Sequence, residues 1–247
     1  MNPPDGIILY GSNPGFALPE SSPFVIKAEV QLQLAGLPYR KAPGIPMQGP
    51  KGKIPWLDDH GEIVCDSTFI RAHLERKYGV DLDEGLDARQ RAEAWAIERM
   101  LEDHLYWAMV WFRWGDPENF ARGPAHFVDA APEPARAKLR EELYARKLGE
   151  LRSHGIGRHA PAQIAELGDR SLQALSILLG DKAHLLRERP SAVDAFAFGV
   201  LASILTPFIE SPLRQAALAY PNLVAYTARM LERHYPAPAR APATDAA

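Results

Sequence analysis

A single cysteine, Cys65, is all the thiol chemistry carried by this chain of 247 residues. No internal disulfide can form, so the fold must rest on its own core, and a reducing compartment is expected. Dense runs of lysine or arginine are missing too. With 28 basic against 31 acidic side chains the formal charge is −3, and no strong attraction to nucleic acid or an anionic membrane is built in. No apolar stretch is long enough to span a bilayer as a helix. The opening Met1-Asn2-Pro3-Pro4-Asp5 has neither the basic start nor the apolar core of a secretory signal. These absences lead to the expectation of a cytoplasmic protein with no membrane anchor and no nucleic-acid partner. What is present, 47% hydrophobic residues over this length, is enough for one large domain or two modest ones.

The first third mixes strand and helix signals. Ile7-Ile8-Leu9-Tyr10 is a short apolar run that leaves into Gly11-Ser12-Asn13-Pro14-Gly15, a strand followed by a loop. Ser22 before Pro23 is an N-cap with proline at the first helical position, and Ile26, Val30, Leu34 and Leu37 follow at helical spacing up to Gly36. Residues 38–42 read as a second strand. Ile54–Leu57 and Glu62–Cys65 flank Asp58-Asp59-His60-Gly61, a hairpin signal. Asp66 caps a helix from Ser67 to about Tyr78, and Gly79 stops it. Residues 1–79 thus read β-α-β-β-β-α, and 80–86 as a linker.

From Asp87 the pattern is helical only. Ile97, Leu101, Leu105, Ala108 and Phe112 form one apolar stripe, and Trp107, Trp111 and Trp114 a second, before Pro117 closes the region. Helices are expected over about 134–151, from Pro161 to about Gly180, and from Pro221. Ser191-Ala192-Val193-Asp194 is a capping box with Asp in place of Glu, and the nearly all-apolar run behind it belongs at the centre of a core. As a cap alone, Asp194 is worth roughly 0.5–2 kcal/mol. A helical domain over 87–235 and a disordered Pro/Ala-rich tail over 236–247 complete the reading.

Four features in this order and spacing resemble the glutathione S-transferase superfamily: Ser22-Pro23-Phe24 at the first helix, Lys53-Ile54-Pro55, Asp66-Ser67 twelve residues after Ile54, and the Ser191–Asp194 box. Within that superfamily, Ser22-Pro23-Phe24…Lys27, Gly36-Leu37-Pro38-Tyr39 and Gly155-Ile156-Gly157-Arg158-His159 look most like bacterial relatives of the metaxin and failed-axon-connections branch. The resemblance implies an α/β domain of thioredoxin type with a mixed four-stranded sheet, then an all-α bundle. It implies glutathione as substrate, a small apolar electrophile as its partner, and a homodimer. Some members of that branch serve membrane import, so a non-catalytic interaction protein is the alternative.

The implied site has named residues. A free thiol has a pKa near ~8.5 and needs help to ionise at neutral pH. Ser22, at a helix N-terminus, is the expected hydroxyl partner of the sulfur, and Tyr10 at the end of the first strand is the runner-up, with Ser12 and Ser21 behind. A cis Ile54–Pro55 bond would turn the Ile54 backbone toward glutathione like an added strand. Asp66 and Ser67 would meet the γ-glutamyl end, and Lys53 or Lys51 the glycyl carboxylate. Tyr106, Trp107 and Trp111 would wall the electrophile pocket between the domains. Ser22 and Val25 stand where thioredoxins carry Cys-x-x-Cys, so dithiol chemistry is excluded there. Cys65 reads as a small hydrophobe, and His154 and His159 lack further ligands at metal spacing, so no metal is expected.

Overall fold

The computed structural model describes residues 6–236. Four short strands, β1 (Ile7–Gly11), β2 (Tyr39–Pro43), β3 (Trp56–Asp59) and β4 (Glu62–Cys65), form one mixed sheet in the order β2-β1-β3-β4. β1 and β2 are parallel, which requires a crossover, and α1 (Pro23–Leu34) supplies it. β3 runs antiparallel to both β1 and β4. The β3–β4 turn is tighter than the sequence reading. His60 and Gly61 both take left-handed φ, 57° and 92°, so a two-residue turn suffices and Asp58 and Asp59 stay in the ladder. Both aspartates are buried because each has partners. Asp58 accepts from the Gly61 N–H at 2.7 Å, and Asp59 meets His73 at 2.6 Å and Lys77 at 2.9 Å on α2 (Ser67–Tyr78).

Helix α1 departs most from its sequence pattern. Val25, Ala28 and Leu32 pack on Leu9 and Leu57 of the sheet and on Ile70 and Leu74 of α2. Ile26 and Val30, on the other side, belong to the helical core. The helix is therefore sandwiched rather than half-solvated, and Lys27, Glu29 and Gln31 are buried with the rest. Each fully buried aliphatic side chain contributes roughly 1.5–3 kcal/mol, so this one helix fastens the two halves together.

Beyond the sheet everything is helical. α3 (Ala88–Met100), a π-helical turn Leu101–Leu105, α4 (Tyr106–Val110) and a second π-turn Trp111–Gly115 run on without a break. Pro117, read as a terminator, instead opens α5 (Pro117–Arg122) at its first position, with Asp116 accepting from the Asn119 N–H at 2.9 Å. α6 (Glu133–His154), α7 (Pro161–Leu179), α8 (Ala192–Leu205), α9 (Pro212–Leu218) and α10 (Pro221–His234) follow. The short α9 had no counterpart in the sequence reading. Helix α8 is the axis of the core, buried at every position from Ala192 to Ile204. It comes so close to α1 that a Cβ at Gly199 would lie 2.7 Å from the Pro23 carbonyl oxygen. No helix among the described residues is long and apolar enough to cross a membrane. The tail reading beyond Pro236 falls outside the described residues.

Candidate functional site

The strand directions gather the site. β1 ends at Gly11, and the chain returns along α1, whose first turn therefore lies near that end of the sheet. β3 is antiparallel and starts there, with Trp56 in register with Tyr10. β4 ends there again, with Cys65 opposite Trp56, and hands over to α2. Ser22, Ile54-Pro55 and Asp66-Ser67 are thus brought to one edge of the sheet, between two helix N-termini.

Ser22 is the N-cap of α1, its Oγ accepting from the Val25 N–H at 3.4 Å. A buried carboxylate stands behind it. Glu20 accepts from the Ser22 N–H at 2.9 Å and from the Ser12 hydroxyl, and pairs with Lys41 of β2 at 2.7 Å. Burial pushes the Glu20 carboxyl above its ordinary range, and Lys41 offsets this in part. Ser21 is buried and donates to Ser12 at 2.9 Å. Tyr10 takes another position. Leu9, its neighbour, faces α1, so the alternation of β1 turns Tyr10 to the opposite face of the sheet. There its ring stacks on Trp56 at 4.8 Å between centroids and 8° between planes.

The Ile54–Pro55 bond is cis. Asp66 has an unusual backbone, φ 79° and ψ 129°, while its side chain accepts from the Thr68 N–H at 2.9 Å. Ser67 beside it is only 3% exposed. Lys27, fully buried in α1, reaches Thr68 at 3.1 Å, Glu98 at 2.9 Å and Glu102 at 3.3 Å, joining both helix starts to the helical half. The one signal for Lys27 in the sequence was a lysine in a helix with no polar face. Lys51 and Lys53 are exposed. Burial raises the Glu150 carboxyl of α6, but Lys147 and then Lys53 outweigh it and hold it low, so Lys53 lies within electrostatic reach of α6.

Of the three aromatic candidates, Tyr106 is the one that packs on the first turn of α1. It meets Phe24 of α1 edge-on at 4.8 Å, and Phe24 in turn meets Phe196 of α8 at 5.0 Å. Burial pushes the Tyr106 phenol up to about 12. Trp107 packs edge-on against Tyr106 at 5.5 Å and stacks on His154 at 4.3 Å. Trp111 turns along its own helix, edge-on to Phe112 at 4.9 Å and over Gly115. Phe24, absent from the sequence-based set, packs with Tyr106 between α1 and α8. Cys65 is half-buried at the end of β4. Among the described residues no group of three or more His, Cys, Asp or Glu is placed to hold a metal.

Comparison with known proteins agrees with this architecture. Residues 23–119 match the family model of the glutathione S-transferase N-terminal domain and residues 168–230 that of the C-terminal domain. The chain belongs to the glutathione S-transferase superfamily. It is 32% identical over 245 residues to Failed axon connections of Drosophila melanogaster, covering 94% of this chain but only 59% of that protein. It is 29% identical over 239 residues to the isoprene-epoxide–glutathione S-transferase of Rhodococcus sp. strain AD45, covering 92% and 99%. Metaxin-1 of Macaca fascicularis is 30% identical, with 82% and 69% covered. Among solved structures, a β-etherase of Sphingobium sp. strain SYK-6 shares the fold at TM-score 0.63 and 16% identity, over 91% of this chain and 94% of that one.

Proposed function

We propose that the protein is a glutathione transferase that joins the thiol of glutathione to a small apolar electrophile, with Ser22 as the hydroxyl partner of the sulfur. The observation that carries this reading is the backbone of Asp66. Asp87 and Asp116 cap their helices at an ordinary φ of −71°, so a cap alone does not require φ 79°. Such a conformation costs on the order of 1–3 kcal/mol and persists where function asks for it. Here it presents the buried Ser67 and the start of α2 to a carboxylate, which suits the γ-glutamyl end of glutathione. Ile54 beside the cis bond would pair with the cysteinyl backbone, and Lys53 with the glycyl carboxylate.

In this reading the Ser22 hydroxyl and the start of α1 favour the thiolate. With an epoxide, a class supported by the isoprene-epoxide relative, the sulfur bonds to a ring carbon and the C–O bond breaks. The freed oxygen then takes a proton, and Tyr106, whose phenol is protonated at neutral pH and pushed up to about 12 by burial, is the candidate donor. A cytoplasmic homodimer belongs to the same proposal, testable by sedimentation. The test of the core claim is a thermal shift with glutathione and with S-alkylated glutathione, followed by turnover of small epoxides. A raised midpoint with turnover is expected. No shift at millimolar glutathione would sink the reading.

A second reading, a glutathione-transferase fold serving as an interaction protein, is favoured by the resemblance to Failed axon connections and Metaxin-1. Its mark would be glutathione affinity without turnover of any electrophile.

A further inference from the structure

Arg113, in the second π-turn, is 4% exposed, and among the described residues no carboxylate pairs with it. Its Nη1 donates to the Ser21 carbonyl at 2.9 Å and its Nη2 to the Ser203 carbonyl at 3.4 Å, while its guanidinium lies 4.6 Å from the Phe16 ring centre. Its Nε is buried without a partner. Ser203 of α8 is 1% exposed, and its hydroxyl is partnerless as well, not even back-bonding along its own helix. Burial pulls the Arg113 guanidinium down to about 10, which still leaves it charged at neutral pH. A buried charge facing two carbonyls and a ring lacks its counter-ion.

Both side chains line one small cavity of about 10 Å³ between the end of α4, α8 and the start of α9. Phe112, Ile204 and Leu213 wall it, and Ser211 completes the polar side. Ser211 Oγ already accepts from the Arg214 N–H at 3.1 Å, so its own O–H is free to donate. The cavity therefore gathers one guanidinium, which can only donate, and two hydroxyls, which can donate or accept. A space of about 10 Å³ excludes phosphate, sulfate and any carboxylate and leaves room for a single-centre occupant. A water molecule can donate to the two hydroxyls, but it leaves the guanidinium charge without a counter-ion. A weakly hydrated monatomic anion needs only the donors and the charge.

We infer that Arg113 and Ser203 hold a halide ion, chloride in the cell, in this cavity. The site stands apart from glutathione, yet it touches the same machinery. The guanidinium that would hold the ion also holds the carbonyl of Ser21, next to Ser22. Occupancy would thus firm the junction between the loop before α1 and the helical half.

The test compares full-length protein in potassium chloride and in potassium gluconate at equal ionic strength, since gluconate is too large to enter. The melting midpoint should rise with chloride and saturate, and bromide should act alike. Ser203→Ala should weaken the chloride dependence roughly tenfold or more, for one lost hydrogen bond to an ion. Arg113→Met should abolish it. Should Arg113→Met not fold, Ser203→Ala and crystals grown in bromide decide, with an anomalous peak expected against Arg113 Nε and Ser203 Oγ. Equal midpoints in chloride and gluconate would overturn the site. So would a chloride effect of the same size in Ser203→Ala, or a bromide crystal with only water in the cavity.

Discussion

The starts of α8 and α2 use the same two residue types for opposite purposes. At α8, Ser191 and Asp194 are fully buried and every oxygen of the Asp194 carboxyl is engaged. Oδ2 accepts from the Ser191 N–H at 2.8 Å and its hydroxyl at 2.9 Å, and Oδ1 from the Leu185 N–H at 3.0 Å and the Tyr226 hydroxyl at 3.1 Å. The backbone at Ser191 is ordinary and extended, φ −118°. At α2, Asp66 is exposed, makes one bond to Thr68, and holds a φ of 79°. The first terminus is closed on itself and the second is open at some cost. The α8 start is saturated inside the chain, whereas the groups of the α2 start are left free to meet a ligand of the kind proposed.

Breaking the closed terminus should have the largest effect. Asp194→Ala leaves three buried donors short of an acceptor, while the Tyr226 hydroxyl keeps the Asp194 carbonyl at 3.1 Å, so the loss should reach about 3–5 kcal/mol, beyond the value of a cap alone. Denaturant unfolding measures it, and a loss under about 1 kcal/mol would make α8 an ordinary cap. Ser67→Ala should leave stability nearly unchanged and weaken glutathione by roughly 1.5–3 kcal/mol, the worth of a hydrogen bond to a charged group. Calorimetry with unchanged affinity would take Ser67 out of the site.

This contrast also marks what was legible beforehand. Ser22-Pro23, Asp66-Ser67 and Ser191–Asp194 all start helices where their local chemistry says, because a cap is a contact between near neighbours in sequence. The candidate site was legible to the same depth. Ser22, Ile54-Pro55 and Ser67 share one sheet edge, since strand order follows from the β-α-β and hairpin signals. What could not be read are the partners that arrive from far away. Lys27 meets Glu98 across 71 residues, and Arg113 meets Ser21 across 92. Periodicity reports which face of a helix is apolar, and α1, apolar on two sides, hides both of its neighbours. Tyr10 was named through the resemblance and Trp111 through the aromatic stripe, and neither signal carries the pleat of β1 or the line of the helix that sets their ring contacts.

Ser22 sits between the two extremes, a cap whose bond to Val25 is long at 3.4 Å. Ser22→Ala should therefore fold, and its thiol effect should be larger than its fold effect. The pKa of bound glutathione should rise by about one unit, worth about 1.4 kcal/mol. The thiolate absorbance would then titrate at higher pH than in the parent. A titration curve that does not move would pass the role to another donor, Ser12 or Ser21 of the hydrogen-bonded group around Glu20.

The smallest effect should also be the most telling, because it reverses sign between folding and binding. Asp66→Gly removes a side chain whose cap is replaceable by glycine at a cost of only a few tenths of a kcal/mol. It also gives the φ of 79° to the one residue that takes it without strain. Relief of about 1–3 kcal/mol of backbone strain is set against roughly 0.5–1 kcal/mol of added chain entropy, so stability should hold or rise slightly, while glutathione binding weakens through loss of the carboxylate that would face the γ-glutamyl ammonium. At Asp87 the same change meets an ordinary φ of −71° and a full capping box with Gln90, so it should only destabilise. If Asp66→Gly and Asp87→Gly lower the midpoint alike and neither changes glutathione affinity, the backbone of Asp66 carries no function, and the difference between the open and closed termini is one of folding alone.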